Sequence, residues 1–318
     1  MRQAFGGAWT EDKLDRLTAY LSAYMTAMKN QPFNKVYVDA FASTGYRAVG
    51  SKKSAQEQLF SELNEPEAQG FLKGSASRAL DIQPSFSQYL FIEKDPKRSK
   101  ELEKLRTDHA DLADKIQIVT ADANEYLKQW CDTMDWSRNR AVLFLDPFGM
   151  QVEWSLLQAI AKTKAIDVWL LFPFAGVNRH LTTGEPPPEE WAARITKIMG
   201  TEGWLQEFYP AKTEPNLFED AEIQNKDTDF ERIAAYFVKR LETIFPGVAK
   251  NPLPLRNSNN TPLFLFCFAV SNPRGKDLAL RMAEHILNSK EEVIHGFRIV
   301  YRMDSDDLEP GARLYSRQ

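Results

Sequence analysis

The sequence predicts a single three-layer α/β domain built on a mostly parallel sheet with helices on both faces. Three observations predict it. Short β-rich apolar runs alternate with helical periodicities along most of the chain. The run 141–145 is continuously apolar, as expected of a strand covered on both faces. Successive strand runs end in carboxylates, at Asp39, Glu93, Asp122 and Asp146. With 318 residues, 43% of them hydrophobic and 26% charged, the chain can bury a core of that size.

The elements follow in order. Thr10 is placed as an N-cap, with Glu11 and Asp12 in the first turn where the helix dipole favours them. Leu14, Leu17, Leu21, Tyr24, Met25 and Met28 then recur at helical spacing, which predicts a helix over 10–29. The first strand, 35–38, ends in Asp39 and leads into the small-residue loop Ala40-Phe41-Ala42-Ser43-Thr44-Gly45. Residues 46–73 read as a polar insertion, and Gly74-Ser75 opens a short helix. The second strand, 89–92, ends in Glu93 and precedes a charged helix over 97–107. The third, 116–119, ends near Ala121-Asp122-Ala123, ahead of a helix carrying Tyr126, Leu127 and Trp130. The fourth ends in Asp146-Pro147-Phe148-Gly149. A helix over 154–163 and a fifth strand over 166–172 follow, closing in Pro173-Phe174-Ala175-Gly176. The pattern then changes. Residues 177–258 read as a helical insertion, with helices over 189–199 and 228–244. Strands return at 263–270 and 297–302, with a helix over 275–287 between them.

Composition narrows the function classes. A net charge of -4 gives no whole-molecule attraction for nucleic acid, so any such binding needs a local basic patch. Arg47, Lys52, Lys53, Lys94, Arg179 and His180 lie near the predicted cleft, and solvated surface is the plainer reading of them. Two cysteines, Cys131 and Cys267, and four scattered histidines suggest neither a disulfide framework nor a metal site. The first residues lack the apolar core of a signal peptide, and the longest apolar run, 263–270, is too short to span a bilayer. A cytoplasmic chain without membrane association is expected.

Ligands of open parallel sheets bind at the strand C-terminal ends, near the point where strand order reverses. The strand-end residues therefore carry the functional expectation. A carboxylate after the second strand, here Glu93, suits ribose hydroxyls, and Asp122 suits an exocyclic adenine amine. The loop after the first strand must admit a ligand to its backbone, which calls for small residues such as Ala42, Ser43 and Gly45. Asp39 at its base either orders that loop or reaches the amino group of a methionine moiety. For each carboxylate alone, an ordinary strand-ending turn is the competing reading.

The segments 38–45 (Val-Asp-Ala-Phe-Ala-Ser-Thr-Gly), 91–96 (Phe-Ile-Glu-Lys-Asp-Pro), 121–123 (Ala-Asp-Ala) and 145–149 (Leu-Asp-Pro-Phe-Gly) resemble class I S-adenosylmethionine-dependent methyltransferases. More closely, the chain resembles the bacterial three-Cys-motif partner protein (TcmP) family. Trp9 with Lys13, Gly74-Ser75 ahead of Arg78-Ala79-Leu80, Gly200-Thr201 with Trp204, and 271–275 (Ser-Asn-Pro-Arg-Gly) extend that resemblance over nearly the whole chain. It implies a Rossmann-like α-β-α sheet and S-adenosylmethionine as cofactor. The cofactor set it implies is Asp39, Phe41, Ala42, Ser43, Gly45, Glu93, Asp122 and Ala123. Ser43 stands where the usual first loop has a glycine. The family is named for a neighbouring three-Cys-motif protein resembling radical S-adenosylmethionine enzymes, which the resemblance implies as a partner.

Asp146-Pro147-Phe148 resembles the motif of amino-methylating enzymes. There a carboxylate or amide and a backbone carbonyl orient an amine, and an aromatic ring stacks on the base. The expected activity is methyl transfer to an amino group, with that of a nucleic acid base as the instance the motif suggests. The alternative is a catalytically inactive methyltransferase-fold partner of the three-Cys-motif protein. A nicotinamide dehydrogenase lacks its Gly-x-Gly-x-x-Gly turn here, and a metal nuclease lacks a suitably spaced lysine.

Overall fold

The computed structural model describes residues 8–42, 74–147, 149–214, 221–224, 226–257 and 259–289. The predicted insertion 46–73, the loop residues Ser43 and Gly45, the aromatic Phe148 and the expected strand 297–302 lie outside those residues.

Among the described residues the main sheet has eight strands: β1 (Asn34–Asp39), β2 (Gln88–Glu93), β3 (Ile116–Thr120), β4 (Asn139–Leu145), β5 (Ile166–Phe172), β8 (Gly247–Val248), β9 (Leu253–Arg256) and β10 (Pro262–Val270). Their order is β3-β2-β1-β4-β5-β10-β8, with β9 also paired to β10. The first five are parallel, and β10 is antiparallel to β5. The short hairpin β6 (Ala211–Glu214) and β7 (Ala221–Gln224) stands apart. The chain runs outward from β1 through β2 to β3, then returns to place β4 on the other side of β1. Strand order therefore reverses between β1 and β4, the position at which open parallel sheets generally bind ligands.

Period-two alternation builds the three layers. Val36, Val38, Leu143, Leu145, Val168 and Leu170 face one apolar cluster, covered by the helices Ala123–Thr133, Trp154–Thr163 and Phe230–Glu242 among others. Tyr37, Tyr89, Phe91, Val142, Phe144 and Trp169 face the other, covered by the first helix, Ala8–Ala27, by helical residues 74–80 and by the helix Lys276–Asn288. The expected α/β fold with a mostly parallel, helix-covered sheet is what the strand pairing shows.

Three elements differ from expectation. The charged helix expected over 97–107 is broken into Pro96–Leu102 and Lys104–Asp108. The fifth strand, read as closing in 173–176, runs directly into a helix, Phe174–His180, that was not among the expected elements. Residues 177–258 are not purely helical, because they supply the β6–β7 hairpin and the edge strands β8 and β9. Edge strands of two and four residues have too little pattern to read from sequence.

Two sets of contacts tie the first helix to its neighbouring helices. Arg78 pairs with Glu11 at 2.7 Å and with Asp15. Gly74 lets residues 74–80 approach closely, since a Cβ there would lie 2.8 Å from the Leu14 side chain. Arg16, aligned by Asp12 at 2.7 Å, donates to the carbonyls of Ile286, Leu287 and Ser289 at the end of the helix Lys276–Asn288. These are carbonyls at the helix C-terminus, where intrahelical partners run out, although Ile286 O also accepts the Ser289 N–H at 3.3 Å.

Candidate active site

Strand order sets the ends of β3, β2, β1 and β4 side by side, so Asp122, Glu93, Asp39 and Asp146 follow one another along one edge of the sheet. Residue parity adds a second constraint. Asp39 alternates with Tyr37, Glu93 with Phe91, and Asp146 with Phe144, so these three carboxylates belong to the face covered by the first helix.

That helix delivers a group the motif reading did not include as a site residue. Lys13 is fully buried and donates from Nζ to Asp146 Oδ2 at 2.7 Å. Its ammonium also lies 5.6 Å from the centre of the Phe144 ring. Burial lowers the Lys13 pKa, opposed by the attraction of Asp146 and, more weakly, of Asp39. Asp39 is itself 1% exposed and accepts from Ser75 Oγ at 3.0 Å. Burial raises its pKa to about 7, against the lowering pull of Ser75, the Phe41 N–H and Lys13. Asp146 reinforces the rise. The end of β1 and the end of β4 thus share one buried ionic cluster of Lys13, Asp39, Asp146 and Ser75, placed at the reversal of strand order.

The sequence carried a signal for Lys13. It stands four residues before Leu17, seven before Tyr20 and eleven before Tyr24, within the stripe that becomes buried. A lysine in an apolar helical stripe needs a partner, since an isolated buried charge is costly.

The loop after β1 is tied to both neighbours. Ala40 N donates to Phe144 O and Ala42 N to Ile92 O, each at 3.0 Å. Ala40 and Ala42 are buried, and Phe41 is half-buried against the opposite core. Glu93 is 5% exposed, and its Oε1 accepts the Asp95 N–H at 2.6 Å, which fixes the carboxylate's orientation. Asp95 caps the next helix through the N–H groups of Lys97 and Arg98.

Asp122 is engaged differently. It caps the helix Ala123–Thr133 through Asn124 N and Glu125 N, and its other oxygen accepts from Lys94 Nζ at 3.0 Å. Partial burial raises its pKa, but the Lys94 hydrogen bond and the two N–H groups outweigh that and hold it below the usual carboxylate range. Ala123 is buried. Asn124 donates to Gln151 O and accepts from Glu153 N, both at 2.9 Å, which anchors the turn following Asp146-Pro147. Pro147 is buried, and Gly149 supplies the left-handed backbone of that turn at φ 79°.

Of the basic residues expected near a cleft at the strand ends, Lys94 pairs with Asp122 and Arg179 is exposed. His180 is buried, with Nδ1 2.7 Å from Gly176 O, so it is part of the packing. Arg47, Lys52 and Lys53 lie outside the described residues. Cys131 and Cys267 are free and buried, and burial pushes both thiols up, Cys131 to about 12. Among the described residues no group of three or more His, Cys, Asp or Glu side chains is placed to hold a metal ion. No helix among them is long and apolar enough to cross a membrane.

No family model matches the chain, and no curated protein does. Among solved structures, the chain is similar to protein LPL1258 of Legionella pneumophila, assigned to family model DUF519. That likeness has 14% identity, 90% coverage of this chain, 92% of that one, and a TM-score of 0.44. It is also similar to yhhF of Escherichia coli, described as a putative methyltransferase, at 13% identity, 66% and 86% coverage, and a TM-score of 0.27. Likenesses this distant add no weight, and the α/β assignment stands on strand order and register.

Proposed function

We propose that this chain is an S-adenosylmethionine-dependent methyltransferase acting on an amino group. The observation that carries the reading is the Lys13–Asp146 pair, buried at the end of β4 beside Asp39, where strand order reverses. The surrounding residues fit such a cofactor. Glu93 presents an oriented carboxylate after the second strand, suited to ribose hydroxyls. The buried alanines 40 and 42 keep the first loop narrow against β2 and β4. Asp39, beside both, offers a carboxylate to an amino group. When bound, the cofactor supplies a methyl group already activated on a sulfonium.

The chain's own work is then positioning and electrostatics. Asp146, held by Lys13, accepts an N–H of the substrate amine, and the Pro147 carbonyl accepts a second. With both protons directed into acceptors, the nitrogen lone pair is left to face the methyl group. Asn124 keeps the turn bearing those acceptors fixed through Gln151 and Glu153. The pattern resembling TcmP proteins is consistent with this reading.

Calorimetric titration with S-adenosylmethionine and S-adenosylhomocysteine tests it. Saturable binding is expected. Glu93→Ala should weaken it by at least about tenfold, the effect of losing one charge-assisted hydrogen bond. Asp146→Ala, which removes the acceptor, should leave cofactor affinity within about threefold while abolishing transfer of a labelled methyl group. Absence of heat at millimolar ligand removes the reading.

A further inference from the structure

A cavity of about 580 Å³ opens on the same edge of the sheet as the carboxylates, beyond the end of β5. Its walls come from the helix Phe174–His180, from the start of the helix Phe230–Glu242, and from Thr261-Pro262 at the start of β10. Leu145 of β4 pairs with Leu170 of β5, so Asp146 is level with Leu171, and Phe174 lies three residues further on, one strand over. With strands about 4.8 Å apart and about 3.3 Å per residue, Phe174 stands on the order of 10 Å from Asp146 along the strand ends, with its ring in the layer on the other side of the sheet from Lys13. That is a span one nucleotide step can cover.

The lining is aromatic below and cationic at the rim. Phe174 and Phe230 meet edge to face with ring centres 4.6 Å apart. Arg256 lies over Phe230 at 5.5 Å from its centre, and Lys226 reaches Asn178 Oδ1 at 2.9 Å. Arg179 is exposed and makes no hydrogen bond or ion pair among the described residues. Asn178 Nδ2 likewise has no acceptor there. The lining itself holds one cation, Arg179, and one carboxylate, Asp229, which already accepts the Arg232 N–H as a helix cap, while Lys226 and Arg256 stand beside it on Asn178 and Phe230. A chain of net charge -4 that gathers Arg179, Arg256 and Lys226 around two phenylalanines presents a local match to a planar base joined to a phosphate.

We infer that this cavity binds the nucleotide next to the target in a single-stranded nucleic acid substrate, with the base against Phe230 and Pro262 and the phosphate on Arg179. The inference rests on the methyl-transfer reading for what happens at Asp146, but the cavity's ligand is tested separately. The probe is a fluorescein-labelled twelve-nucleotide single strand of mixed sequence, as RNA and as DNA, titrated with the full chain at two salt concentrations. Binding of S-adenosylhomocysteine is measured on every variant by calorimetry.

Phe230→Leu keeps apolar bulk and removes the ring, Arg179→Glu reverses the free charge, and Arg138→Glu is the control at the opposite end of the sheet. We expect salt-sensitive binding, weakened at least about tenfold by each cavity variant and by less than about twofold by the control. Binding equal in all four proteins overturns the inference. So does a chain that takes S-adenosylhomocysteine but no oligonucleotide, which leaves methyl transfer standing with another substrate class, such as a protein side chain. Oligonucleotide binding through the cavity without S-adenosylhomocysteine binding sinks the methyl-transfer reading and keeps this one.

Discussion

Lys13 is the residue on which the carboxylate end of the sheet turns. Its methylene stem packs within the apolar stripe of the first helix, and its ammonium supplies the positive charge among Asp39 and Asp146. Replacing one partner of a buried ion pair leaves the other charge without compensation, a loss of about 3–5 kcal/mol. Lys13→Met should therefore lower stability in urea unfolding by an amount in that range. Adding Asp146→Asn to it should recover part of the loss, because the stranded charge is gone. A double variant no more stable than Lys13→Met would show that the pair is not where the energy resides. The four carboxylates were readable because strand ends in parallel sheets sit where ligands bind. Lys13 was harder, because one charged residue in an amphipathic helix is common on a solvated face. Only the neighbouring positions Leu17, Tyr20 and Tyr24 showed that this face is buried. Asp122 shows the opposite limit: its place at a strand end was legible, but its engagement by Lys94 and two N–H groups depends on a helix start that spacing alone does not fix.

Elements with strong periodicity were legible nearly to the residue, as with Trp154–Thr163 and Ile166–Phe172. Residues 211–214 and 247–256 were not, because short strands are defined by partners remote in sequence, and Val248 becomes a strand residue only through Ala269. The join between the helix Glu189–Met199 and the rest of that layer has its own device. Gly200 ends the helix at φ 70°, donates to Thr196 O at 2.7 Å, and lies so close to Trp154 that a Cβ would sit 2.0 Å from the indole Cγ. Arg240 covers the same indole at 4.7 Å and donates to Met199 O at 3.0 Å. Gly200→Ala should cost more than the roughly 1 kcal/mol of left-handed strain, because the indole must also move; about 3 kcal/mol is expected. Urea unfolding of the variant checks this, and a loss below about 1 kcal/mol would mean that Trp154 relocates freely.

At the scale of the whole molecule, the first helix crosses the sheet from the C-terminal ends of its parallel strands toward their starts. Lys13 meets Asp146 after β4, and seven residues on, about 10 Å along the helix, the Tyr20 hydroxyl donates to Asp167 Oδ2 at 2.7 Å near the start of β5. Asp167 is 7% exposed, and burial raises its pKa from 3.8 to about 7, with the Tyr20 hydrogen bond working against the rise. Below the unfolded value both states hold the proton, and the group has no effect on stability. Between that value and about 7 the folded state keeps a proton that the unfolded state has lost, so stability falls as pH rises through this window. The full penalty, up to about 4 kcal/mol from the size of the shift, is present above it. Asp39 titrates over the same window and adds a slope of the same sign. Asp167→Asn removes the ionisation at one end only and keeps an oxygen for the Tyr20 hydroxyl. The variant should match the wild type near pH 4, exceed it by a few kcal/mol near pH 8, and retain the part of the slope that belongs to Asp39. Urea midpoints measured from pH 4 to pH 8 on both proteins give the difference directly. Parallel curves would mean that Asp167 ionises in the folded state as easily as in the unfolded one, and that the contact with Tyr20 compensates its burial.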